Sequence, residues 1–278
     1  MVKFLNLSYL DQKGKDFFLD KFPSGSLGDS KVLIYGIQKS RNIDFSKYKG
    51  YKIICYSGEN IKNHGYNSPN QILNKGHYLI SMERIEHENY LRLSNMVRAD
   101  FHGYNYDLVE DFTIPTKTKF CSFIYRHDVK YRNNFVKQLS KSKRVDCLGP
   151  CLNNVNFKMP SFPKGNVEAI SSYKFNIAFE NSSAAGYCTE KIWWGFLAKT
   201  VSIYWGDPTV TQDFNQGSFL NRHEYNSDQE FINAIIELDN NDDAYRKMLT
   251  KPKIRDKSIV DTNRLRPFFK KILTDRFS

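Results

Sequence analysis

The clearest candidate for chemistry in this sequence is an apolar run, residues 174–180, followed by a polar turn that ends in Thr189, Glu190 and Lys191. The run predicts a buried strand, and Thr189 suits the N-cap of a helix that begins directly after it. Parallel sheets bind ligands beyond the carboxyl ends of their strands, and a helix N-terminus offers partial positive charge and free N–H groups. Lys191 adds a full charge that the helix dipole alone disfavours. The pattern therefore favours an anionic ligand such as a phosphate.

Glu190 adds a hydrogen-bond acceptor to the same turn. In Rossmann nucleotide sites an acidic residue accepts hydrogen bonds from ribose hydroxyls, and Glu190 is suited to that role. Ordinary surface roles explain Glu190 and Lys191 equally well from residue type alone. For Glu59, a loop carboxylate, and for Arg132, which stands near a predicted helix start, an ordinary surface role is the better explanation from residue type alone. The residue types alone leave these alternatives open.

Three blocks in and after this region, in matching order and spacing, resemble the signature of the family 10 α-1,3/4-fucosyltransferases in their soluble bacterial or viral form. The blocks are residues 179–182 (FENS), 186–191 (GYCTEK) and 203–208 (IYWGDP). Cys188 stands where the family usually has valine, and Ser202 stands where it usually has proline. Neither side chain is expected to carry chemistry.

Weaker similarity to the same family extends outward from these blocks. Residues 122–124 (SFI) and 132–135 (RNNF) resemble the strand and helix start that open the family's donor half, and residues 56–60 (YSGEN) resemble its N-terminal Tyr-Thr-Gly-Glu-Asn motif. The first fifty residues match poorly. The resemblance therefore covers the chain from about residue 51 onward.

The resemblance implies a donor site around the polar turn. In family members with this motif, the Thr-Glu-Lys lysine contacts the donor diphosphate and the glutamate contacts the ribose, which implies these roles for Lys191 and Glu190. Asn181 and Tyr187 match other donor-contacting positions. The donor implied is GDP-fucose, which is a co-substrate rather than a cofactor.

Two further roles follow from the resemblance. The arginine of the family's Arg-Asn-x-Phe helix pairs with the diphosphate, which implies this role for Arg132, with the nearby Arg126 as the alternative. The glutamate of the Gly-Glu-Asn motif is the general base that accepts a proton from the acceptor hydroxyl, which implies that role for Glu59. Arg132 and Glu59 are therefore the expected catalytic residues.

The activity implied is inverting transfer of L-fucose from GDP-β-L-fucose to a hydroxyl of an N-acetylglucosamine-containing glycan of the LacNAc or Lewis type. No two aspartates stand two positions apart, so the Asp-x-Asp motif of many metal-dependent glycosyltransferases is absent. We therefore predict no obligatory metal and leave stimulation by Mn²⁺ or Mg²⁺ open. The alternatives are a transferase of the same fold with another nucleotide-sugar donor, and a basic module that binds nucleic acid or a membrane surface.

Short apolar runs alternate with helix-compatible stretches along the chain, which predicts an α/β protein with parallel sheets covered on both faces. The strands are expected at residues 31–36, 51–57, 77–82, 119–125, 144–149, 174–180 and 200–206, and helices at 131–142, 189–198, 228–238 and 263–277. The resemblance implies a GT-B architecture of two Rossmann-like domains that face each other across a cleft. We expect an acceptor-binding domain at 1–115, a GDP-fucose-binding domain at 116–262 and a C-terminal helix at 263–278.

The composition is that of a globular protein with a formal net charge of +11, which calls for an anionic partner or surface. The basic residues are spread along the chain, unlike the dense arm of a nucleic-acid binder, so we expect no nucleic-acid partner. Peripheral contact with an acidic membrane surface stays open. No apolar run reaches the length of a membrane span, and the five cysteines lack regular spacing, which predicts a cytoplasmic protein with core thiols.

Overall fold

The computed structural model describes residues 1–7, 12–23, 28–95, 109–110, 112–156 and 164–275, and it divides into two compact units. The first unit combines the described residues of 1–103 with those of 258–278, and the second comprises the described residues of 104–257. Within these residues, no helix is long and apolar enough to span a membrane.

The first unit is built on a five-stranded parallel sheet with the strand order β1-β2-β3-β4-β5. Its strands are β1 (Val2–Leu5), β2 (Lys31–Gly36), β3 (Tyr51–Tyr56), β4 (Tyr78–Ser81) and β5 (Tyr90–Arg92). Its helices are α1 (Gln12–Lys21) and α2 (Asn70–Leu73), and the last helix of the chain also belongs to it. Every strand points in the same direction, so all the carboxyl ends lie along one edge.

Both faces of this sheet are buried, because successive residues of its central strands point to opposite sides. Val32 and Ile34 pack into one apolar cluster with Phe18 of α1. Tyr35 and Cys55 pack into a second cluster on the other side. This explains why the central strands read as continuous apolar runs in the sequence.

The second unit is built on another five-stranded parallel sheet, with the order β10-β9-β8-β6-β7. Its strands are β6 (Lys119–Phe123), β7 (Val145–Cys147), β8 (Tyr173–Phe179), β9 (Val201–Trp205) and β10 (Leu220–Asn221). Its helices are α3 (Lys130–Ser142), α4 (Lys164–Ile170), α5 (Glu190–Leu197), α6 (Asp228–Asp239) and α7 (Asp242–Thr250). The predicted α/β class with two parallel sheets is confirmed.

The chain ends in helix α8 (Leu265–Thr274), which packs within the first unit. Leu265, Phe268, Phe269 and Ile272 form its apolar stripe and join the cluster that contains Phe18. The rings of Phe22 and Phe269 stack with their centres 4.1 Å apart. The predicted final helix is therefore present, although residues 276–278 lie outside the described part of the chain.

All five cysteines are buried and none forms a disulfide: Cys55, Cys121, Cys147, Cys151 and Cys188. Burial raises the pKa of each of Cys55, Cys121 and Cys188, which keeps these thiols protonated. They behave as small apolar side chains of the core.

Candidate active site

The topology of the second sheet indicates where a ligand would bind. Strands β6 and β8 are neighbours, yet the chain leaves β6 toward β7 on one side and leaves β8 toward β9 on the other. Ligands of open parallel sheets bind beyond the carboxyl ends of the strands at such a switch point. The loop after β6 leads to Arg132, and the turn after β8 leads to Lys191.

The turn after β8 is organised by a buried carboxylate, that of Glu180. The backbone N–H of Thr189 donates to Glu180 Oε1 over 2.7 Å, and the Thr189 hydroxyl contacts both carboxylate oxygens at 2.9 and 2.7 Å. Lys191 Nζ lies 3.1 Å from Glu180 Oε2, 2.7 Å from Thr189 Oγ1 and 3.4 Å from Glu190 Oε1. The Glu180 side chain is 0% exposed and that of Lys191 is 14% exposed. The ammonium is thus held in place by neighbouring oxygens.

The electrostatics of this cluster explain its charge states. Burial disfavours the charged Lys191, but the carboxylates of Glu180 and Glu190 outweigh it and raise the pKa of Lys191 above the ordinary lysine value. Burial also raises the pKa of Glu180, against the opposing effect of Lys191 and the Thr189 hydrogen bonds. Lys191 therefore stays protonated at neutral pH.

This geometry corrects one step of the sequence argument. Thr189 is the N-cap residue of α5 as predicted, but its side chain bonds to Glu180 and Lys191 rather than to a helix N–H. The sequence favours an anionic ligand as the explanation for the cation at the helix start, whereas in the structure the buried Glu180 already provides a counter-ion. Sequence reasoning gave Glu180 no role, although its place at the end of a buried strand, nine residues before Thr189, was visible.

Gly206 makes room for the Glu180 carboxylate. A Cβ atom at Gly206 would lie 2.3 Å from Glu180 Cγ and 2.9 Å from Tyr204 Oη, closer than side chains can approach. The Glu180 N–H also donates to the Trp205 carbonyl over 2.7 Å. Trp205, the last residue of β9, and Gly206 thus fix the position of the glutamate that contacts Lys191.

Asn181 and Tyr187, the other predicted donor contacts, are joined to each other. The Tyr187 hydroxyl donates to Asn181 Oδ1 over 2.9 Å. Tyr187 is buried, whereas Asn181 is exposed at the top of the turn. The buried Asp207 accepts the Gly186 N–H over 2.8 Å, which ties this turn to the segment after β9. The structure therefore places both residues on one hydrogen-bonded turn with Glu190 and Lys191.

Arg132 is the third residue of α3 and is almost fully buried. Its guanidinium donates to the carbonyls of Phe179, at 3.4 Å, and His127, at 3.1 Å. Its central carbon lies 4.1 Å from the centre of the Tyr125 ring, and within the described residues its buried Nε makes no hydrogen bond. Phe179 is the last residue of β8, so Arg132 reaches the start of the Glu180 turn. Arg126, the alternative, is exposed.

Tyr125 shows that these charged groups converge. Burial raises the pKa of Tyr125, the charges of Arg132 and Lys191 oppose this, and those of Glu180 and Glu190 reinforce it. Its hydroxyl therefore lies within electrostatic range of all four side chains. Two fixed cations beside a helix N-terminus form a site that suits a diphosphate.

Glu59 lies in the first unit, in the tight turn after β3. The Ser57 hydroxyl donates to the Glu59 carbonyl over 2.6 Å, and the Glu59 N–H donates to Ser57 Oγ over 3.2 Å. Asn60 closes the turn by accepting the Lys62 N–H, and its neighbour Glu59 is partly exposed. The turn therefore fixes the backbone of the predicted base at the carboxyl edge of its sheet.

A second carboxylate, Glu83, follows the neighbouring strand β4 at the same edge, and sequence reasoning missed it. The Ser81 hydroxyl donates to its carboxylate, and the Tyr90 hydroxyl donates to its carbonyl over 2.5 Å. The backbone N–H of Ile61 lies near enough to the carboxylate to favour its charged form. Burial raises the pKa of Glu83 above the ordinary value. The sequence feature that could have indicated Glu83 is its position two residues after a buried strand, β4. Ile61 directly follows Asn60, so the Glu83 carboxylate lies beside the turn that carries Glu59.

The described residues contain no group of three or more histidine, cysteine, aspartate or glutamate side chains arranged to hold a metal ion. The positive charge near the turn after β8 comes from Arg132, Lys191 and the start of α5.

Comparison with known proteins agrees with this geometry. Residues 114–259, more than half of the chain, match the C-terminal domain of glycosyltransferase family 10 (fucosyltransferase). The chain is 36% identical over 143 residues to alpha-(1,3)-fucosyltransferase FucT of Helicobacter pylori, a match that covers 51% of this chain and 29% of that protein. It is 30% identical over 122 residues to human GDP-fucose protein O-fucosyltransferase 3, with 41% and 25% of the two chains covered. The matched segment thus spans less than a third of the length of these curated relatives.

The fold agrees with solved structures over the whole chain. A crystal structure of an alpha1,3-fucosyltransferase with GDP superposes with a TM-score of 0.74 at 24% identity, covering 100% of this chain and 91% of that one. This likeness confirms the predicted GT-B fold class. The matched family segment includes β8, the Glu180 turn, α5 and β9, which together form the candidate site. On this basis the chain belongs to glycosyltransferase family 10, the fucosyltransferases.

Proposed function

We propose that the protein transfers L-fucose from GDP-β-L-fucose to a hydroxyl of an N-acetylglucosamine-containing glycan, with inversion at the fucose carbon. The observation that carries this proposal is the convergence of Arg132 and Lys191 at the switch point between β6 and β8. A diphosphate that leaves from a sugar gains negative charge in the transition state. Preorganised cations in a site partly closed to water stabilise that charge.

Each predicted residue has a part in this reaction. Lys191 and Arg132 bind the diphosphate, Glu190 accepts hydrogen bonds from the ribose, and Asn181 and Tyr187 contact the donor. The guanidinium Nε of Arg132 supports this assignment, because a buried donor without a partner costs stability unless a ligand satisfies it.

Glu59 is the proposed general base. It accepts the proton of the acceptor hydroxyl as the oxygen attacks the anomeric carbon and the bond to GDP breaks. General-base assistance of this kind typically contributes about 10²–10⁴-fold to the rate. The first unit, which carries Glu59, is then the acceptor-binding domain, and the second unit is the donor-binding domain.

We further propose that no metal ion is obligatory, because two cationic side chains already occupy the role of neutralising the diphosphate. We also propose that Mn²⁺ or Mg²⁺ can increase the rate of transfer without being required for it. Assays in excess EDTA test both points. Full loss of turnover in EDTA, restored by a divalent ion, would contradict the proposal.

The donor is tested by isothermal titration with GDP-fucose, GDP-mannose and an oligonucleotide. We expect binding of GDP-fucose in preference to GDP-mannose and no binding of the oligonucleotide. Equal response to the two nucleotide sugars would indicate a transferase with another donor. Micromolar binding of the oligonucleotide without any response to GDP-fucose would overturn the enzyme assignment.

The acceptor is tested separately, with a panel of N-acetyllactosamine, N-acetylglucosamine and a serine- and threonine-containing polypeptide. The polypeptide is included because one relative is a protein O-fucosyltransferase. We expect transfer to the saccharides, with an α-1,3 linkage assigned by NMR. Transfer to the polypeptide alone would redirect the acceptor assignment and leave the donor assignment intact.

Peripheral membrane contact is a further proposal that rests on the net charge of +11. Co-sedimentation with vesicles that contain anionic lipid, compared with neutral vesicles, tests it. Equal partition with the two kinds of vesicle would contradict it.

A further inference from the structure

The first unit contains a cavity of about 660 Å³ that the proposed reaction does not use. It lies at the amino ends of β3 and β4, where Tyr51 and Tyr78 begin these strands. Glu59 follows the carboxyl end of β3, and a strand of six residues is about 20 Å long. The cavity is therefore on the opposite edge of the sheet from the predicted base. Its volume is in the range of small-ligand sites, about 300–1,000 Å³.

Aromatic rings form part of the cavity lining. Phe45, Tyr48 and Tyr51 all contribute to it and are all partly exposed. The Tyr48 and Tyr51 rings meet edge to face with their centres 5.5 Å apart, and Phe45 packs on His77 at 4.8 Å. These contacts hold the rings in fixed positions. Fixed rings with one accessible side provide apolar surface for the ring of a ligand.

The acidic groups of the lining are already engaged. Asp275 accepts the Tyr78 hydroxyl over 2.6 Å, and its carbonyl accepts the ammonium of Lys52. Glu88 lies 3.9 Å from Lys271 Nζ, which also donates to the Glu88 carbonyl over 2.6 Å. The Asp275 carboxylate is thus hydrogen-bonded to a neutral hydroxyl, and the Glu88 carboxylate lies beside a cation. These two acids stand against three lysines of the lining, Lys49, Lys52 and Lys75.

The lysines Lys49 and Lys75, in contrast, are exposed cations of the lining. Across the described residues, neither ammonium has a carboxylate within ion-pair distance; Lys75 contacts only the Tyr66 ring, at 5.7 Å from its centre. Because the lining holds three lysines and two carboxylates, its net charge is +1, which favours an anionic ligand.

A buried histidine completes the lining. His77 Nδ1 lies 3.2 Å from the Tyr35 hydroxyl, and its other ring nitrogen makes no hydrogen bond to any described residue. Burial, assisted by the charge of Lys75, lowers the pKa of His77 to about 4. The ring is therefore neutral at pH 7 and offers Nε2 as a hydrogen-bonding group.

We propose that this cavity is a second ligand site, which binds a small anionic saccharide, a sugar that carries a phosphate or a carboxylate. Lys49 and Lys75 pair with the anionic group, the rings of Tyr48 and Tyr51 cover the apolar side of the sugar, and His77 bonds to a hydroxyl. The cavity lies on the opposite edge of the first sheet from Glu59, and its existence as a ligand site does not depend on the activity proposed above.

The test is calorimetric titration of the full chain with glucose 1-phosphate, glucuronic acid, glucose and inorganic phosphate. We expect binding of the two anionic sugars and much weaker binding of glucose and of phosphate alone. Lys49→Gln/Lys75→Gln should weaken binding by about tenfold, since it removes the two exposed charges that pair with the anionic group. Tyr48→Leu should weaken the binding of the anionic sugars more than it weakens the binding of phosphate. Unchanged circular dichroism and a cooperative thermal transition above the assay temperature verify that each variant is folded.

Two controls locate the binding. Lys47→Gln removes an equal charge nearby but outside the lining, where Lys47 pairs with Asp44 at 3.8 Å, and should leave affinity unchanged. Lys191→Ala alters the site after β8 and should also leave it unchanged. Equal losses in Lys47→Gln, loss confined to Lys191→Ala, or inorganic phosphate that binds as tightly as glucose 1-phosphate would each overturn the proposal. So would the absence of binding by either anionic sugar.

Discussion

The guanidinium carbon of Arg132 lies 4.1 Å from the centre of the Tyr125 ring, so the cation rests on an aromatic face. The ring itself is anchored, because the Tyr125 hydroxyl donates to the Ile177 carbonyl of β8 over 3.0 Å. Tyr125 therefore sets the position of Arg132 relative to the strand that leads to Glu180. Buried cation–π contacts of this kind contribute about 1–2 kcal/mol.

The first prediction concerns this aromatic support. Tyr125→Phe keeps the ring, and we expect the KM for GDP-fucose to stay within about twofold of the wild-type value. Tyr125→Leu removes the ring and should raise that KM by about fivefold to thirtyfold. Steady-state kinetics at saturating acceptor measures both. A Leu variant with the wild-type donor KM would show that the ring does not position Arg132.

The second prediction distinguishes the two candidate arginines. Arg132→Ala should raise the KM for GDP-fucose by about tenfold to a hundredfold, because it removes the charge-assisted hydrogen bonds that we propose between Arg132 and the diphosphate. Arg126→Ala is the matched control, since Arg126 is an exposed arginine of the same loop region, and it should change the KM by less than about twofold. The reverse order of effects would assign the diphosphate contact to Arg126.

The third prediction follows from the pairing of Lys191 with Glu180. Lys191→Ala leaves a buried carboxylate without its main counter-ion, so we expect the free energy of unfolding to fall by about 3 kcal/mol. Lys191→Met/Glu180→Gln removes both charges at similar volume and should recover most of that loss. Urea denaturation measures the stability of each variant. Donor binding should remain weak in the double variant, since the diphosphate cation is still missing.

The fourth prediction concerns the base. Glu59→Ala should lower kcat by about 10²–10⁴-fold, whereas the Kd for GDP-fucose stays unchanged because Glu59 and the donor residues belong to different units. Glu83→Gln keeps the shape of this neighbouring side chain and an oxygen that can accept the Ser81 hydroxyl, so it should lower kcat only modestly. Near-normal kcat in Glu59→Ala, combined with a large loss in Glu83→Gln, would move the role of base to Glu83.

The fifth prediction concerns acid stability. The pKa of His77 falls from 6.5 to about 4 in the folded protein because of burial. Between these pH values the unfolded chain binds a proton that the folded chain does not, so stability contributed by the neutral ring is lost as pH falls through this window. The slope is at most about 1.4 kcal/mol per pH unit. Urea denaturation of His77→Gln should show a flatter profile there, and His87→Gln, at an exposed position, should not.

Much of the core could be predicted from the sequence. The central strands of both sheets are continuous apolar runs. The structure confirms a strand at every predicted position, with identical bounds at Lys31–Gly36 and shifts of one or two residues elsewhere, as at Tyr173–Phe179. Val2–Leu5 was missed because it is a short edge strand whose residues are only partly buried, and its run is interrupted by a lysine. Gln12–Lys21 was missed because charged residues dominate it and only Gly14 and Phe18 are buried.

The candidate site was predictable in position but not in its internal contacts. A strand, a turn and a helix start are local features, so their order placed Lys191 and Glu190 correctly at the carboxyl edge. The pairing of Lys191 with Glu180, and the stacking of Arg132 on Tyr125, depend on which strands are neighbours. That information is set by the packing of β6 beside β8, which no local pattern specifies.

The return of α8 to the first unit has a consequence for how this chain folds during synthesis. The apolar cluster that contains Phe18 and Ile54 is complete only when Phe269 and Ile272 have been made. The second unit is continuous in sequence and needs no residue from the last helix. Domains usually fold from the N-terminus onward as they leave the ribosome. Here the second unit can fold before the first, because the core of the first unit requires α8.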